Sequence, residues 1–148
     1  MKPEKKIMIF GTFDYFHAGH EDMLRQARAM GDYLIAIVAR DKTVERIKGR
    51  LPDHTEKERL NVLKSHQLVN KAVLGNEVDK HKVVLQHKPH IIALGYDQFV
   101  FTYTLNKLII DNGLETEIVR LQAYQPDVFK SSKIKARLSE ENSVTSTL

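Results

Sequence analysis

The sequence contains no cysteine and no tryptophan among its 148 residues. The absence of cysteine excludes disulfide bonds and thiol catalysis, and it favours an intracellular setting. No apolar run approaches the roughly 20 residues of a membrane-spanning helix. The basic start of the chain is followed by only four apolar residues, 7–10, which are too few for a signal peptide. We therefore expect a cytoplasmic protein without a membrane partner.

Aromatic residues are scarce at 7%, and the net charge of +4 is a small difference between 23 basic and 19 acidic residues. Proteins that bind single-stranded nucleic acid need aromatic side chains for base stacking, and this sequence offers few. A pocket for a small polyanion explains the same excess of positive charge, so nucleic-acid binding is a minor alternative. We expect a small-molecule partner and no nucleic acid.

Short apolar runs alternate with amphipathic segments along the chain. The run 33–39 is apolar throughout, which is typical of a strand covered on both faces. The alternation predicts an α/β fold, a doubly wound parallel sheet (Rossmann-like) of five strands with helices on both faces. The predicted strands cover 7–10, 33–39, 71–74, 89–94 and 117–121, and the predicted helices 19–30, 41–47, 55–64, 79–86, 104–112 and 131–138. We expect one domain over 1–138 and a polar tail over 139–148.

The most informative segment is residues 11–20, Gly-Thr-Phe-Asp-Tyr-Phe-His-Ala-Gly-His, which follows the predicted strand 7–10. It predicts a tight turn and the start of a helix. His17 and His20 are three residues apart, so a helix beginning near His17 places both imidazoles on one face. Gly19 removes a side chain that would block a ligand. Because a helix start attracts phosphate, the segment indicates chemistry on a nucleoside triphosphate.

Two other interpretations of the histidine pair stay open from the residues alone. Histidines at this spacing are also half of a metal site, although no third ligand lies close by in the sequence. Alternatively, both imidazoles serve only the structure, with their polar atoms paired inside the fold.

Residues 11–20 resemble the HxGH signature of the nucleotidyltransferase superfamily, and the opening Gly-Thr-Phe-Asp is similar to its cytidylyltransferase-like branch. The superfamily includes glycerol-3-phosphate cytidylyltransferases, pantetheine-phosphate adenylyltransferases and archaeal-type FAD synthases. The resemblance implies that His17 and His20 contact the triphosphate and stabilise the transition state as pyrophosphate leaves. It also implies nucleotide-binding roles for their neighbours Gly11, Thr12, Phe13, Asp14 and Gly19.

A second segment, Gly95-Tyr96-Asp97-Gln98, follows the predicted strand 89–94 and so shares the carboxyl edge of the sheet. An ordinary strand-to-helix turn with Asp97 as a helix cap explains it equally well. The resemblance implies instead that Gly95, Tyr96 and Asp97 bind the base and ribose of the nucleotide. The segment is more similar to the archaeal-type FAD synthases than to the glycerol-phosphate enzymes.

Hydroxyls and a cation combine at Ser131, Ser132 and Lys133, where the predicted helix 131–138 begins. Hydroxyls and free amides hold phosphate oxygens well, although a serine N-cap on a basic surface helix is the plainer interpretation. The resemblance implies the Ser/Thr-rich phosphate-binding motif of the superfamily. That motif often carries an arginine shortly before the hydroxyls, and residues 124–129 contain none. Lys130 or Lys133 is therefore expected to supply the charge.

Lys48 and Arg59 lie in a charged stretch after the predicted strand 33–39. A solvated charged surface is the simpler explanation for most cations there. The resemblance singles out these two as catalytic residues that draw charge toward the pyrophosphate, together with His17 and His20. It further implies that Thr12 and Ser131 fix phosphate oxygens by hydrogen bonds.

The resemblance implies that a substrate phosphate attacks the α-phosphorus of a nucleoside triphosphate and displaces pyrophosphate. A phosphomonoester is anionic near neutral pH, so this reaction needs positioning and charge stabilisation more than a strong base. The similarity to archaeal-type FAD synthases implies ATP and FMN as substrates. It also implies Mg²⁺ bound with the triphosphate, for which Asp14 is the candidate protein ligand.

Two alternatives stay open beside FAD synthesis. One is a CTP-dependent cytidylyltransferase acting on glycerol 3-phosphate or a similar phosphorylated alcohol. The other is a non-catalytic nucleotide-binding protein on the same fold. Archaeal-type FAD synthases generally carry cysteines near the C-terminus, which this sequence lacks. Because related enzymes are usually dimers, we expect a homodimer.

Overall fold

A computed structural model describes residues 4–76, 81–95 and 102–123 of the chain, with the Thr102 side chain left out. The described strands are β1 (Lys6–Gly11), β2 (Tyr33–Val38), β3 (Lys71–Leu74), β4 (Ile91–Leu94) and β5 (Glu117–Arg120). The described helices are α1 (Ala18–Arg28), α2 (Asp41–Lys48), α3 (Glu56–Lys64), α4 (Lys82–His87) and α5 (Thr102–Asp111). The expected helix 131–138 and the tail 139–148 lie outside the described residues.

All described strand pairs are parallel, and the order across the sheet is β3-β2-β1-β4-β5. This confirms the predicted Rossmann-like α/β fold of five strands. The chain runs outward from β1 to β3, then crosses to the other side of β1 to form β4 and β5. In such sheets, ligands bind beyond the carboxyl ends of the strands where the order reverses. The fold therefore places the binding crevice between the ends of β1 and β4.

The sheet has an apolar core on each face, because successive side chains of a strand point to opposite sides. In β1, Ile7 and Ile9 belong to one core and Met8 to the other, and all are fully buried. Leu24 and Ala27 of α1 pack into the first core, as the predicted helix face requires. The second core contains buried side chains from α4 and α5, namely Val83, Val84 and Leu105. Helices thus cover both faces, as the continuous apolar strands predict.

Several element boundaries differ from the sequence prediction. Helix α1 ends at Arg28, not at residue 30, because the chain tightens into a turn in which the Met30 N–H donates to the Ala27 carbonyl. Strand β4 begins at Ile91, two residues later than predicted, since Pro89 has no N–H for the ladder. Helix α4 begins at Lys82, later than the predicted 79, and residues 77–80 lie outside the description. The core positions are unaffected by these shifts.

Local sequence chemistry fixes the start of α3 as predicted. The Thr55 side chain accepts a hydrogen bond from the Glu58 N–H at 3.2 Å, and a Glu58 oxygen accepts one from the Thr55 N–H at 2.8 Å. This reciprocal capping box satisfies two amides at the helix start. Within the ranges given above, none of the helices has the length and apolar character needed to cross a bilayer.

Candidate active site at the carboxyl edge of the sheet

The HxGH segment lies at the carboxyl edge, beside the point where the strand order reverses. Gly11 is the last residue of β1 and pairs with Val38 at the end of β2. Gly95 directly follows β4, on the other side of β1, and its carbonyl accepts a hydrogen bond from Arg120 Nη1 at 2.8 Å. The structure therefore brings Gly11 and Gly95 to the same edge, flanking the crevice.

Helix α1 is capped by the two histidines of the motif. His17 is the N-cap, and its Nδ1 accepts a hydrogen bond from the Gly19 N–H at 3.0 Å. His20 occupies the third helical position, and its Nδ1 accepts one from the His17 N–H at 3.2 Å. The pair thus forms a capping box in which imidazoles replace the usual hydroxyl and carboxylate. Gly19 contributes a backbone N–H as well as the absence of a side chain.

This capping arrangement determines where the imidazole protons lie. A ring nitrogen that accepts a backbone N–H carries no proton, so each neutral ring carries its proton on Nε2. Desolvation by burial lowers the pKa of His17. Burial also lowers the pKa of His20 to about 3, with electrostatic interactions with His17 and Lys48 adding to the effect and Asp14 opposing it. Both rings are therefore neutral near pH 7 and present Nε2–H donors.

Aromatic rings surround His20. The His17 and His20 rings are stacked, with centroids 4.0 Å apart. Phe16 stacks on His20 at 5.4 Å, and Phe13 lies at the same distance with its ring tilted by 57°. Phe16 also lies 5.7 Å from the ring of His66, which is paired with Glu21 at 2.8 Å. These apolar walls explain the desolvation of His20 and fix the position of its ring.

The motif loop has a strained backbone at Phe13 and Tyr15, whose φ angles are 56° and 53°. Bulky side chains rarely adopt this left-handed conformation, which costs of the order of 1–3 kcal/mol per residue. At Phe13 it places the ring in the core, 3% exposed, beneath Gly11. A Cβ atom on Gly11 would lie 2.8 Å from that ring. Glycine is therefore required at the end of β1 by close packing against Phe13.

Asp14 joins the motif loop to the segment before α3. One carboxylate oxygen accepts the Asp53 N–H at 2.8 Å, and the other accepts the His54 N–H at 3.1 Å and contacts His54 Nδ1 at 2.8 Å. Burial raises the pKa of Asp14, but these hydrogen bonds and the nearby His54 outweigh that effect and lower it. Both oxygens thus have protein partners, and the role of Asp14 as a magnesium ligand stays a prediction.

Arg59 is buried beneath the loops, with 1% of its side chain exposed. Its Nε donates to the His54 carbonyl at 3.0 Å, and its Nη1 donates to the carbonyls of Thr12 and Ala39, both at 2.8 Å. Its Nη2 binds Asp41 Oδ1 at 2.7 Å. We predicted an Arg59 that faces the pyrophosphate, whereas the structure places it within the protein, where its fork of donors matches four acceptors. Arg59 thus holds together the motif loop, the segment between β2 and α2, and the residues before α3.

Lys48 has a different environment from Arg59. It is the last residue of α2, is exposed, and precedes Gly49, whose φ of 82° ends the helix. Its charge contributes to lowering the pKa of His20. Lys48 is therefore near enough to His20 for its ammonium group to act on that ring.

The starts of α2 and α3 cap each other across the sequence. A Glu56 side-chain oxygen accepts the Asp41 N–H at 2.8 Å, and an Asp41 oxygen accepts the Glu56 N–H at 3.2 Å. Sequence reasoning missed this pair, as well as Asp53 and His54. The available signal was an acidic residue in the first turn of each helix. We call α2 together with residues 49–55 the α2 excursion. These two hydrogen bonds hold its two ends together at the carboxyl edge of the sheet.

The chain matches the model of the cytidylyltransferase-like family over residues 8–137. It belongs to this family. The FAD synthase of Thermococcus sibiricus is 40% identical over 144 residues, which cover 95% of this chain and 97% of that protein. The FAD synthase of Thermoplasma volcanium is 36% identical over 135 residues, covering 91% and 94%.

Solved structures agree with the family and the fold. A crystal structure from Thermoplasma volcanium, described as a lipopolysaccharide core biosynthesis protein, has a TM-score of 0.78 at 37% identity and covers 83% of this chain and all of that one. A pantoate-β-alanine ligase from Francisella tularensis has a TM-score of 0.63 at 15% identity, covering 86% of this chain and 62% of that one. The second likeness shows a shared fold alone.

The remaining predicted site residues of this family member fall outside the described residues. They are Tyr96, Asp97, Ser131, Ser132 and Lys133, with Lys130 as the alternative source of charge. Within the described ranges, no group of three or more His, Cys, Asp or Glu side chains has the arrangement of a metal site. The structure therefore brings the HxGH segment and Gly95 to one edge of the sheet, while Arg59 is buried against the carbonyls of Thr12 and Ala39.

Proposed function

We propose that this protein is an FAD synthase, which transfers AMP from ATP to FMN. A phosphate oxygen of FMN attacks the α-phosphorus of ATP and forms a new P–O bond. The bond from the α-phosphorus to the oxygen that bridges to the β-phosphate breaks, and pyrophosphate leaves. The family membership and the FAD synthases 36–40% identical over more than nine-tenths of the chain support this assignment.

The observation that carries the mechanism is the pair of Nε2–H donors at the start of α1. Both Nδ1 atoms of the histidines are occupied by backbone N–H groups, which leaves each Nε2–H available to a phosphate oxygen. The helix start adds the positive end of its dipole. Preorganised neutral donors stabilise the charge that develops on the phosphate oxygens without reorganising during the reaction. We assign this role to His17 and His20.

The other described residues contribute charge and position. Lys48, which is exposed and acts electrostatically on His20, neutralises negative charge on the departing pyrophosphate. Arg59 acts by holding the Thr12, Ala39 and His54 carbonyls in place, as a positioning residue. The attacking FMN phosphate is already anionic and needs no strong base. The roles of Gly95, Tyr96, Asp97, Ser131, Ser132 and Lys133 stay as the resemblance predicts them.

We expect the divalent cation to be bound by the triphosphate of ATP. Mg²⁺ retains several waters and binds through substrate phosphates with one or two carboxylates at most. The described residues do not supply a metal site of their own, and Asp14 is engaged by Asp53 and His54. No step is therefore assigned to a metal held by the protein.

A matrix of substrates tests the function. The purified protein is incubated with ATP or CTP, and with FMN or glycerol 3-phosphate, and pyrophosphate and the nucleotide product are measured. We expect pyrophosphate and FAD to form only in the incubation that contains both ATP and FMN. Turnover of CTP with glycerol 3-phosphate would replace the proposal by the cytidylyltransferase alternative. Nucleotide binding without pyrophosphate in any combination would indicate a binding protein.

We also propose that the protein is a homodimer, as the resemblance implies. Sedimentation equilibrium of the purified chain measures its mass directly. A mass twice that of the 17.0 kDa chain supports the dimer, and a mass of one chain refutes it.

A further inference from the structure

Exposed apolar side chains occur on the motif loop and on the α2 excursion, two segments that the hydrogen bond from Tyr15 to Asp53 joins. Six large hydrophobic residues are exposed within the described residues, and three of them lie on the motif loop or the α2 excursion: Tyr15 (59%), Ile47 (62%) and Leu51 (53%). We call these three residues the apolar rim. Single exposed hydrophobic residues are common on protein surfaces. What distinguishes this group is its position in the sequence and the conformation of Tyr15.

Tyr15 is held at the surface by its backbone and by two contacts. Its φ of 53° is strained for an aromatic residue. Its hydroxyl donates to Asp53 Oδ2 at 2.7 Å, and its ring meets the His54 ring edge-on at 4.6 Å. The ring nevertheless stays largely exposed. A strained aromatic residue that is fixed but not buried, next to a catalytic motif, points to a ligand that covers it.

The other members of the rim belong to the segment that Tyr15 contacts. Leu51 lies two residues before Asp53, the acceptor of the Tyr15 hydroxyl, and Ile47 directly precedes Lys48. Exposed Lys48 and Arg50 are interleaved with these apolar side chains. The surface therefore offers apolar area and positive charge together, which matches a ligand with an apolar planar ring and an anionic phosphate.

We propose that the apolar rim is the platform for the isoalloxazine ring of FMN, with the ring lying on Tyr15 between Ile47 and Leu51. The inference rests on the proposed function and names the acceptor site of the same reaction. The flavin phosphate then extends from the rim toward Lys48 and the histidine pair, where the α-phosphate of ATP is bound. Isoalloxazine has a large apolar surface and stacks on aromatic side chains, so the rim gives specificity for flavin over small phosphorylated alcohols.

The first experiment separates flavin recognition from nucleotide binding. KM values for FMN and ATP are measured for the native protein, for Tyr15→Ser and for the double variant Ile47→Ser/Leu51→Ser. We expect the KM for FMN to rise at least tenfold in both variants, while the KM for ATP changes less than twofold. Tyr15→Phe retains the ring and is expected to stay within threefold of the native KM for FMN.

Matched controls come from exposed apolar residues elsewhere. Ile110 is 76% exposed on α5 and Val62 is 43% exposed on α3. Ile110→Ser and Val62→Ser are expected to leave both KM values unchanged. Circular dichroism melts check that each variant is folded. The double variant keeps the proposal testable if Tyr15→Ser is unstable, because Ile47 and Leu51 are exposed and removing them leaves no buried cavity.

A second experiment uses riboflavin, which has the ring without the phosphate. We expect riboflavin to inhibit competitively against FMN and to have its fluorescence quenched by the native protein. Tyr15→Ser is expected to weaken both effects tenfold or more. If both rim variants had the native KM for FMN and the native inhibition by riboflavin, the proposed flavin platform would be wrong. The proposed FAD synthase function would not be affected by that result. Failure of the native protein to form FAD from FMN and ATP would overturn the proposed function itself.

Discussion

Arg59 donates a hydrogen bond to the carbonyl of Thr12 across 47 residues of sequence, at 2.8 Å. This contact ties the first helical turns of α3 to the loop that carries the catalytic motif. The same guanidinium reaches the end of β2 through Ala39 and the start of α2 through Asp41. The geometry of the HxGH loop therefore depends on a buried cation that does not face the substrate.

We expect Arg59→Met to destabilise the protein by on the order of 3 kcal/mol, because three carbonyls lose a buried donor and Asp41 loses its partner. Urea denaturation measures the free energy of unfolding. Arg28→Met is a matched control, since Arg28 makes one hydrogen bond, to the Gly31 carbonyl, and its loss is expected to cost about 1 kcal/mol. Equal losses in the two variants would contradict the assigned role of Arg59.

His17→Asn and His20→Gln separate capping from catalysis. Asparagine at the N-cap and glutamine at the third helical position both retain a side-chain acceptor for the backbone N–H, so helix α1 stays capped. Each amide also carries N–H donors, but they lie in a different position from the imidazole Nε2–H. We expect each variant to fold, with a free energy of unfolding less than about 1 kcal/mol below that of the native protein. We expect its turnover to fall about 10²-fold or more.

The measurements for the histidine variants are steady-state FAD formation and urea denaturation on the same samples. His66→Asn serves as the control, because His66 contacts the aromatic wall through Phe16 without capping α1. Turnover close to native in both His17→Asn and His20→Gln would show that the Nε2–H groups do not stabilise the reacting phosphates.

The sequence predicted the features that depend on neighbouring residues. The Thr55–Glu58 capping box is local, and the pattern identified it. The position of Gly11 at the carboxyl edge followed from the apolar run before it. By contrast, the burial of Arg59 and the engagement of Asp14 depend on contacts across 18 to 47 residues. Residue type alone does not distinguish a buried arginine from one that faces a ligand, because both present the same guanidinium.

The neutral histidine pair makes stability depend on pH. The pKa of His20 is about 3 in the folded protein against 6.5 as its ordinary value. Between these values the unfolded chain binds a proton that the folded protein does not, so the free energy of unfolding falls as pH decreases below 6.5. One such group contributes at most about 1.4 kcal/mol per pH unit. We expect urea denaturation to show lower stability at pH 5 than at pH 7.

His20→Gln isolates the contribution of His20 to this pH dependence. The variant retains Asp14, whose lowered pKa also removes stability at acid pH, so the difference between native protein and variant reports His20. We expect the stability of the native protein relative to the variant to decrease from pH 7 to pH 5. NMR provides an independent check, since the His20 ring signals are expected not to titrate between pH 5 and pH 8. A midpoint near 6.5 for those signals would refute the neutral donor.

Gly11→Ala tests the packing that supports the motif loop. The added Cβ would lie 2.8 Å from the ring of Phe13, which is 3% exposed and so cannot move into solvent without loss of core contacts. We expect a destabilisation of about 1–3 kcal/mol in urea and a raised KM for ATP, because Phe13 also lies against His20. Gly75→Ala is the matched control at the end of β3, where the Cβ meets Ile37 at an ordinary 3.4 Å. If the two alanine variants had equal stability and equal KM for ATP, the close packing of Gly11 on Phe13 would not determine the loop geometry.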